Sequence, residues 1–150
     1  MKNDGFLFRC RVYLPMALCF VLCFLCMTCF RVVVADGPSM APTYTPGDIL
    51  LCARQIKEPK VGDVLLIRHQ GQLVIKRVQF IAGQTPFLFT GGNDLHTGDL
   101  SDWLDGPIPE GYIFVAGDNP AESLDSRYES FGLVPLTEVE GTILWMLKDK

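Results

Sequence analysis

The chain has 150 residues, 49% of them hydrophobic and 20% charged, with a formal net charge of −4. That length allows one modest domain, and an acidic balance without a basic cluster argues against a nucleic-acid partner. With Gly 14 and Pro 10, the composition favours short strands and turns over long helices.

The first element is an uncharged run over residues 12–30, VYLPMALCFVLCFLCMTCF. As a helix rising 1.5 Å per residue it would span about 28 Å, close to the hydrocarbon thickness of a bilayer. Lys2, Arg9 and Arg11 precede the run, and only Arg31 follows it closely. The excess of positive charge before it puts the N-terminus in the cytoplasm or the mitochondrial matrix, and the remainder across the membrane. The sequence therefore divides into a tail at 1–11, a transmembrane anchor at 12–31 and a β-rich domain at 36–150. Pro15 is expected in the first turn of the anchor helix, where proline costs least. A cleaved signal peptide with its cleavage site at 33–35 is the alternative, but its apolar stretch would be long for that role.

Five of the six cysteines, Cys10, Cys19, Cys23, Cys26 and Cys29, lie in or beside the run. With no histidine or carboxylate among them, a thiolate site facing lipid would be costly, so no metal is expected. Cys52 stands alone beyond the run, and the domain can form no internal disulfide.

Beyond Ser39, short apolar runs alternate with turn signals, as in an all-β domain. Strands are expected at 48–54, at 62–68, at 72–82, with a hairpin at HQG between the last two, at 86–90, at 112–116 and at 140–148. Residues 91–111 are polar and rich in Gly and Asp, which predicts a loop, and a second long polar loop joins the last two strands. The fold class is mainly β, a small antiparallel sheet or partial barrel behind one helix.

Three stretches carry side chains capable of chemistry. Ser39 lies in GPSMAPT (37–43), and a serine is a weak nucleophile until a base takes its proton. His69 at the hairpin tip and His96 in the polar loop have no flanking residues that predict burial, so a histidine base is poorly supported. A lysine can serve if it is neutral, and at an ordinary pKa near 10.4 only about one molecule in a thousand is neutral at pH 7. Burial lowers that pKa. Lys76 suits, because on a strand it shares a face with Val74, Val78 and Phe80 while Arg77 points the other way. Taken alone, such a residue is more often a snorkelling strand lysine than a base. The third stretch, GDNPAESLDSRYESFG (117–132), crowds Asp118, Asn119, Ser123, Asp125, Ser126 and Arg127 into one loop. It is either a solvated turn with local hydrogen bonds or a frame that fixes a nearby lysine.

Together, GPSMAPT with the following GD (47–48), IKRV (75–78) and PEGYIFVAGDN (109–119) with Ser123, Asp125, Ser126, Arg127, Gly132 and Val134 resemble the type I signal peptidase family, in its order and across nearly the whole chain. The resemblance implies a membrane-bound serine endopeptidase that removes signal peptides from exported preproteins. It implies Ser39 as nucleophile, Lys76 as general base and Ser123 as the residue that orients the lysine. Asp125 and Arg127 match the pair that holds the site together, and Asp118 belongs to the same box. The Ser39 backbone N–H would help form the oxyanion hole, with Gly37 where some members carry an assisting serine. Met40 and Pro42 are expected to line the substrate cleft or touch the membrane.

The partners implied are preproteins and the lipid bilayer, with a partner subunit left open and no metal or organic cofactor. The location implied is the bacterial inner or plasma membrane, single-pass and facing outward, or alternatively the mitochondrial inner membrane facing the intermembrane space. QFIAGQ (79–84) departs from the glycine and PGD that often follow KRV in the family, and there is no room for a large second β-domain. Two rivals are a non-catalytic membrane-tethered subunit and a self-cleaving repressor-type Ser/Lys protease; the apolar run argues against the second.

Overall fold

A computed structural model describes residues 4–54, 58–86, 104 and 106–147, with the backbone alone at 4–10, 12 and 147. The helix α1, Asp4–Cys29, leads directly into β1, Phe30–Val34. It begins earlier than the apolar run, so Pro15 lies inside it rather than in its first turn. Its described large apolar side chains are mostly exposed, from 49% at Val21 to 77% at Met27. Among the described residues no helix is long and apolar enough to cross a membrane; the described side chains of the run start at Tyr13. A membrane anchor at 12–31 is therefore a matter of proposal.

Six further strands complete the sheet: β2 Ile49–Ala53, β3 Val64–His69, β4 Gln72–Ile81, β5 Tyr112–Ala116, β6 Val134–Pro135 and β7 Val139–Leu147. The seven form one open sheet in the order β1-β2-β7-β3-β4-β5-β6, antiparallel at each pairing. The expected strands at 48–54, 62–68, 72–82, 112–116 and 140–148 are present, with ends that agree to within two residues. The strand expected at 86–90 and nearly all of the loop at 91–111 lie outside the described residues. The β3–β4 hairpin turns on Gln70 and Gly71, with φ of 49° and 81°. Positive φ at both central residues matches the twist of the flanking strands.

β3 is apolar almost throughout because both of its faces are covered. Leu65 and Ile67 join Val78, Ile113, Val115 and Val134 in one core cluster, while Val64 and Leu66 join Leu50, Cys52, Met40 and Ile143 in another. A register shift between Val78 and Phe80 redirects the end of β4 beyond Lys76. Phe80 leaves the expected shared face and packs edge-on against Phe114, ring centroids 5.7 Å apart, in a third cluster. Val74 and Val78 remain with the first cluster, on the side of the sheet where Lys76 is buried.

Candidate active site

Lys76 lies on β4 opposite Leu65 of β3 and is only 4% exposed. Its Nζ donates to Ser123 Oγ at 2.8 Å, and that hydroxyl donates in turn to Asp125 Oδ2 at 2.5 Å. Asp125 is completely buried and also accepts from Gly117 N–H at 2.8 Å, and from Arg127 through Nε at 2.7 Å, Nη2 at 2.5 Å and the backbone at 3.2 Å. Such a fork between guanidinium and carboxylate fixes direction as well as distance.

The packing sets the electrostatics. Burial pushes the Lys76 ammonium below the ordinary lysine range; the Asp125 charge works against that shift and the Arg127 charge adds to it. Burial alone would raise Asp125, but hydrogen bonds from Arg127, Ser123 and the Gly117 amide hold it below the usual carboxylate range. Because the Ser123 O–H is committed to Asp125, its oxygen accepts an N–H from Lys76. A neutral amine can give that N–H and still keep a lone pair to receive a proton.

Ser39 sits on the turn after β1, half-buried. Together with Gly37, Met40 and Lys76 it lines a recess of about 140 Å³. The hydrogen bond of Lys76 goes to Ser123 rather than to Ser39; bonds within such sites often tighten only when substrate is bound. Gly37 has φ +87°, the left-handed region where a side chain would be strained. Met40 is 3% exposed and packs in the second cluster, so it lines the recess from the core and does not face lipid. Pro42 is exposed and does not line the recess. A larger cavity of about 1100 Å³, lined by Arg77, Phe114 and Asp118, includes neither Ser39 nor Lys76.

Asp118 lies on the other side of β4. It receives Arg77 at both oxygens, 2.8 Å from Nε and 2.6 Å from Nη2. Burial raises its pKa, yet the bonds from Arg77 and Thr43 outweigh this and keep it low. His69 corrects an expectation. Rather than standing open at the hairpin tip, it is buried, with Nδ1 2.6 Å from Glu138 Oε2 and Nε2 2.7 Å from the Phe131 carbonyl. His96 lies outside the described residues.

The family model described as "Signal peptidase, peptidase S26" matches residues 90–147, and one described as "Peptidase S24-like" matches residues 21–95. The mitochondrial ATP-independent inner membrane protease subunit 1b of Arabidopsis thaliana is 35% identical over 118 residues, covering 74% of this chain and 66% of that protein. The mitochondrial inner membrane protease subunit 1 of Schizosaccharomyces pombe is 32% identical over 124 residues, covering 77% of this chain and 71% of that protein. Signal peptidase I of Bacillus licheniformis is 30% identical over 143 residues, covering 75% of this chain and 74% of that protein. The chain belongs to the type I signal peptidase family. It spans just under two thirds of the Arabidopsis relative, at 66%.

Within this family member the segment matched by the S24-like model holds Ser39 and Lys76, and the segment matched by the S26 model holds the loop with Ser123, Asp125 and Arg127. Reading the sequence gave no role to three contributors that it named. Arg77 clamps Asp118; Asn119 bonds the Ser39 turn through both its backbone and its side chain; and Gly117 leaves room for that turn to approach. The GDN triplet was the available signal, since a glycine between a strand and polar residues often marks close backbone approach.

Proposed function

We propose that the chain is a serine endopeptidase, anchored in a membrane by the apolar run up to Cys29, where α1 ends and β1 begins, that removes N-terminal signal peptides from preproteins, using Ser39 as nucleophile and Lys76 as general base. The supporting observation is that Lys76 is buried, lowered in pKa, and borders the same recess as Ser39. Neutral Lys76 takes the Ser39 proton as Oγ adds to the scissile carbonyl. The oxyanion that forms is held by backbone N–H groups of the Ser39 turn. The protonated lysine then gives its proton to the leaving amine. A water, deprotonated by the restored neutral lysine, hydrolyses the acyl-enzyme and frees Ser39. A recess of about 140 Å³ suits a small side chain, in keeping with substrates that carry small residues at −1 and −3 and bind extended along a sheet edge.

The inner membrane is the proposed location, in line with the names of the relatives, and "subunit 1" in several names makes a second subunit part of the reading. Apolar side chains exposed along α1 continue onto the sheet. Val32 and Val34 of β1 stand opposite Leu51 and Ile49, and Leu51 stands opposite Trp145, which is 67% exposed. An apolar face running on from the helix suits a domain resting on a bilayer.

The test is cleavage of a preprotein with a small-x-small site by the full chain in detergent, beside Ser39→Ala and Lys76→Ala. Loss of at least about a hundredfold in both variants supports the dyad. Equal cleavage by all three sinks it and favours the non-catalytic subunit.

A further inference from the structure

Ser39 and Lys76 belong to different parts of the sheet: the serine to the turn between β1 and β2, the lysine to β4. Their separation depends on whatever ties the turn to the rest. Hydrogen bonds to residues 118 and 119 do so: Thr43 bonds Asp118, and the two bonds that reach Pro38 and Ser39 themselves come from Asn119, whose backbone N–H donates to the Ser39 carbonyl at 3.0 Å and whose Nδ2 donates to the Pro38 carbonyl at 3.2 Å. The Pro38 carbonyl also accepts the Ala41 N–H at 3.0 Å, so the Asn119 amide grips the group that closes the nucleophile's own turn.

The other end of this connection lies in the lysine's frame. Gly117, two residues before Asn119, donates its N–H to Asp125. Asp118, between them, carries the bidentate bond to Arg77, the neighbour of Lys76 on β4. Three consecutive residues thus bond the acid that orients Ser123, the strand that carries the lysine, and the turn that carries the serine.

We infer that Asn119 is a positioning residue, acting through the Pro38–Ser39 backbone to hold the nucleophile at its distance from Lys76. The inference rests on the proposed Ser/Lys chemistry for its effect on rate, but not for the hold itself. A reacting atom displaced by about 1 Å loses on the order of a hundredfold in rate, so a side chain that fixes the turn should act on turnover more than on substrate binding.

Asn119→Asp keeps the size and places a carboxylate oxygen, which cannot donate, against the Pro38 carbonyl; Asn119→Ala only deletes the donor. For the full chain in detergent, two readouts are taken: hydrogen exchange of the amides in 38–44, and kcat with KM on a preprotein. Expected are at least about fivefold faster exchange at Ala41 and a kcat reduced at least about tenfold with KM within about twofold, Asp being worse than Ala. Exchange at the parent rate in both variants overturns the inference, because the turn is then held by something else. Faster exchange with the parent's kcat also overturns it, because the hold is then irrelevant to rate. Should Asn119→Asp not fold, Asn119→Ala carries both readouts. If Ser39→Ala cleaves like the parent, the proposed chemistry fails, and the exchange arm alone decides whether Asn119 holds the turn.

Discussion

Gly117→Ala would place a methyl group where the structure has no space for one. A Cβ built there lies 2.3 Å from Ser123 Oγ, 2.4 Å from the Ser39 carbonyl oxygen and 2.7 Å from Ser123 Cβ. Ordinary contact between such atoms needs about 3.5 Å, so the neighbours must retreat by roughly 1 Å. Neither yields easily. The Ser123 hydroxyl is fixed between Lys76 and Asp125, and the Ser39 carbonyl is held by the Asn119 amide.

Overpacking of this kind costs about 1–3 kcal/mol of stability. The same displacement separates the serine from the lysine's frame and should cost about a hundredfold in turnover. Urea unfolding and preprotein cleavage measure the two effects side by side. Gly83→Ala is the control, since its Cβ meets nothing within 4 Å and only its φ of +80° resists a side chain. It should lose about 1 kcal/mol and keep its kcat within twofold or so. Parent-like turnover in Gly117→Ala would refute the close approach of the two serines as a requirement for catalysis.

The charges set further outcomes. Because the folded pKa of Lys76 is lowered, the unfolded chain binds more protons between that value and the ordinary lysine value, and stability rises with pH across this window. Lys76→Met should therefore abolish cleavage yet be more stable than the parent at neutral pH, with the gain shrinking as pH climbs toward 10.5, as read from urea midpoints. The pH profile of kcat/KM should rise along a limb below the ordinary lysine range. Arg127→Met removes a charge that lowers Lys76 and should move that limb upward; a limb that stays in place would show another group titrating. Asp125, with its pKa depressed, adds stability above the usual carboxylate range that disappears as pH falls through its lowered value. Asp125→Asn should cost about 3–5 kcal/mol near neutrality by stranding the buried Arg127, measured by thermal or urea unfolding. His69→Leu leaves Glu138 and the Phe131 carbonyl without their partner. It should cost about 1–3 kcal/mol with kcat unchanged; a large fall in kcat would mean the histidine takes part in catalysis.

Elements whose character is local were the ones legible in the sequence. β3 and β5 stood out as apolar runs because both faces of each are covered, and the Gln70–Gly71 turn because of its glycine. β1 was hidden, since FRVVV continues the hydrophobicity of α1 and composition does not mark where helix gives way to strand. The two-residue β6 carries no periodicity at all. Ser39, Lys76 and the Ser123–Arg127 loop were singled out as candidates through their residue types and resemblance. What escaped was set by tertiary structure: Arg77 and Asp118 are 41 positions apart, Asn119 and Pro38 are 81 apart, and His69 and Glu138 are 69 apart. Sheet order brings each pair together, and sheet order is not written in any single stretch. Phe80 went astray for a related reason, because one shift in register reassigns every later side chain.

β7 is the last strand of the sheet in chain order, yet it lies between β2 and β3. The ribbon that carries the Ser39 turn and the ribbon that carries Lys76 thus have no strand-to-strand seam of their own. β7, pairing with β2 on one side and β3 on the other, is the strand that joins the proposed nucleophile and base into one wall.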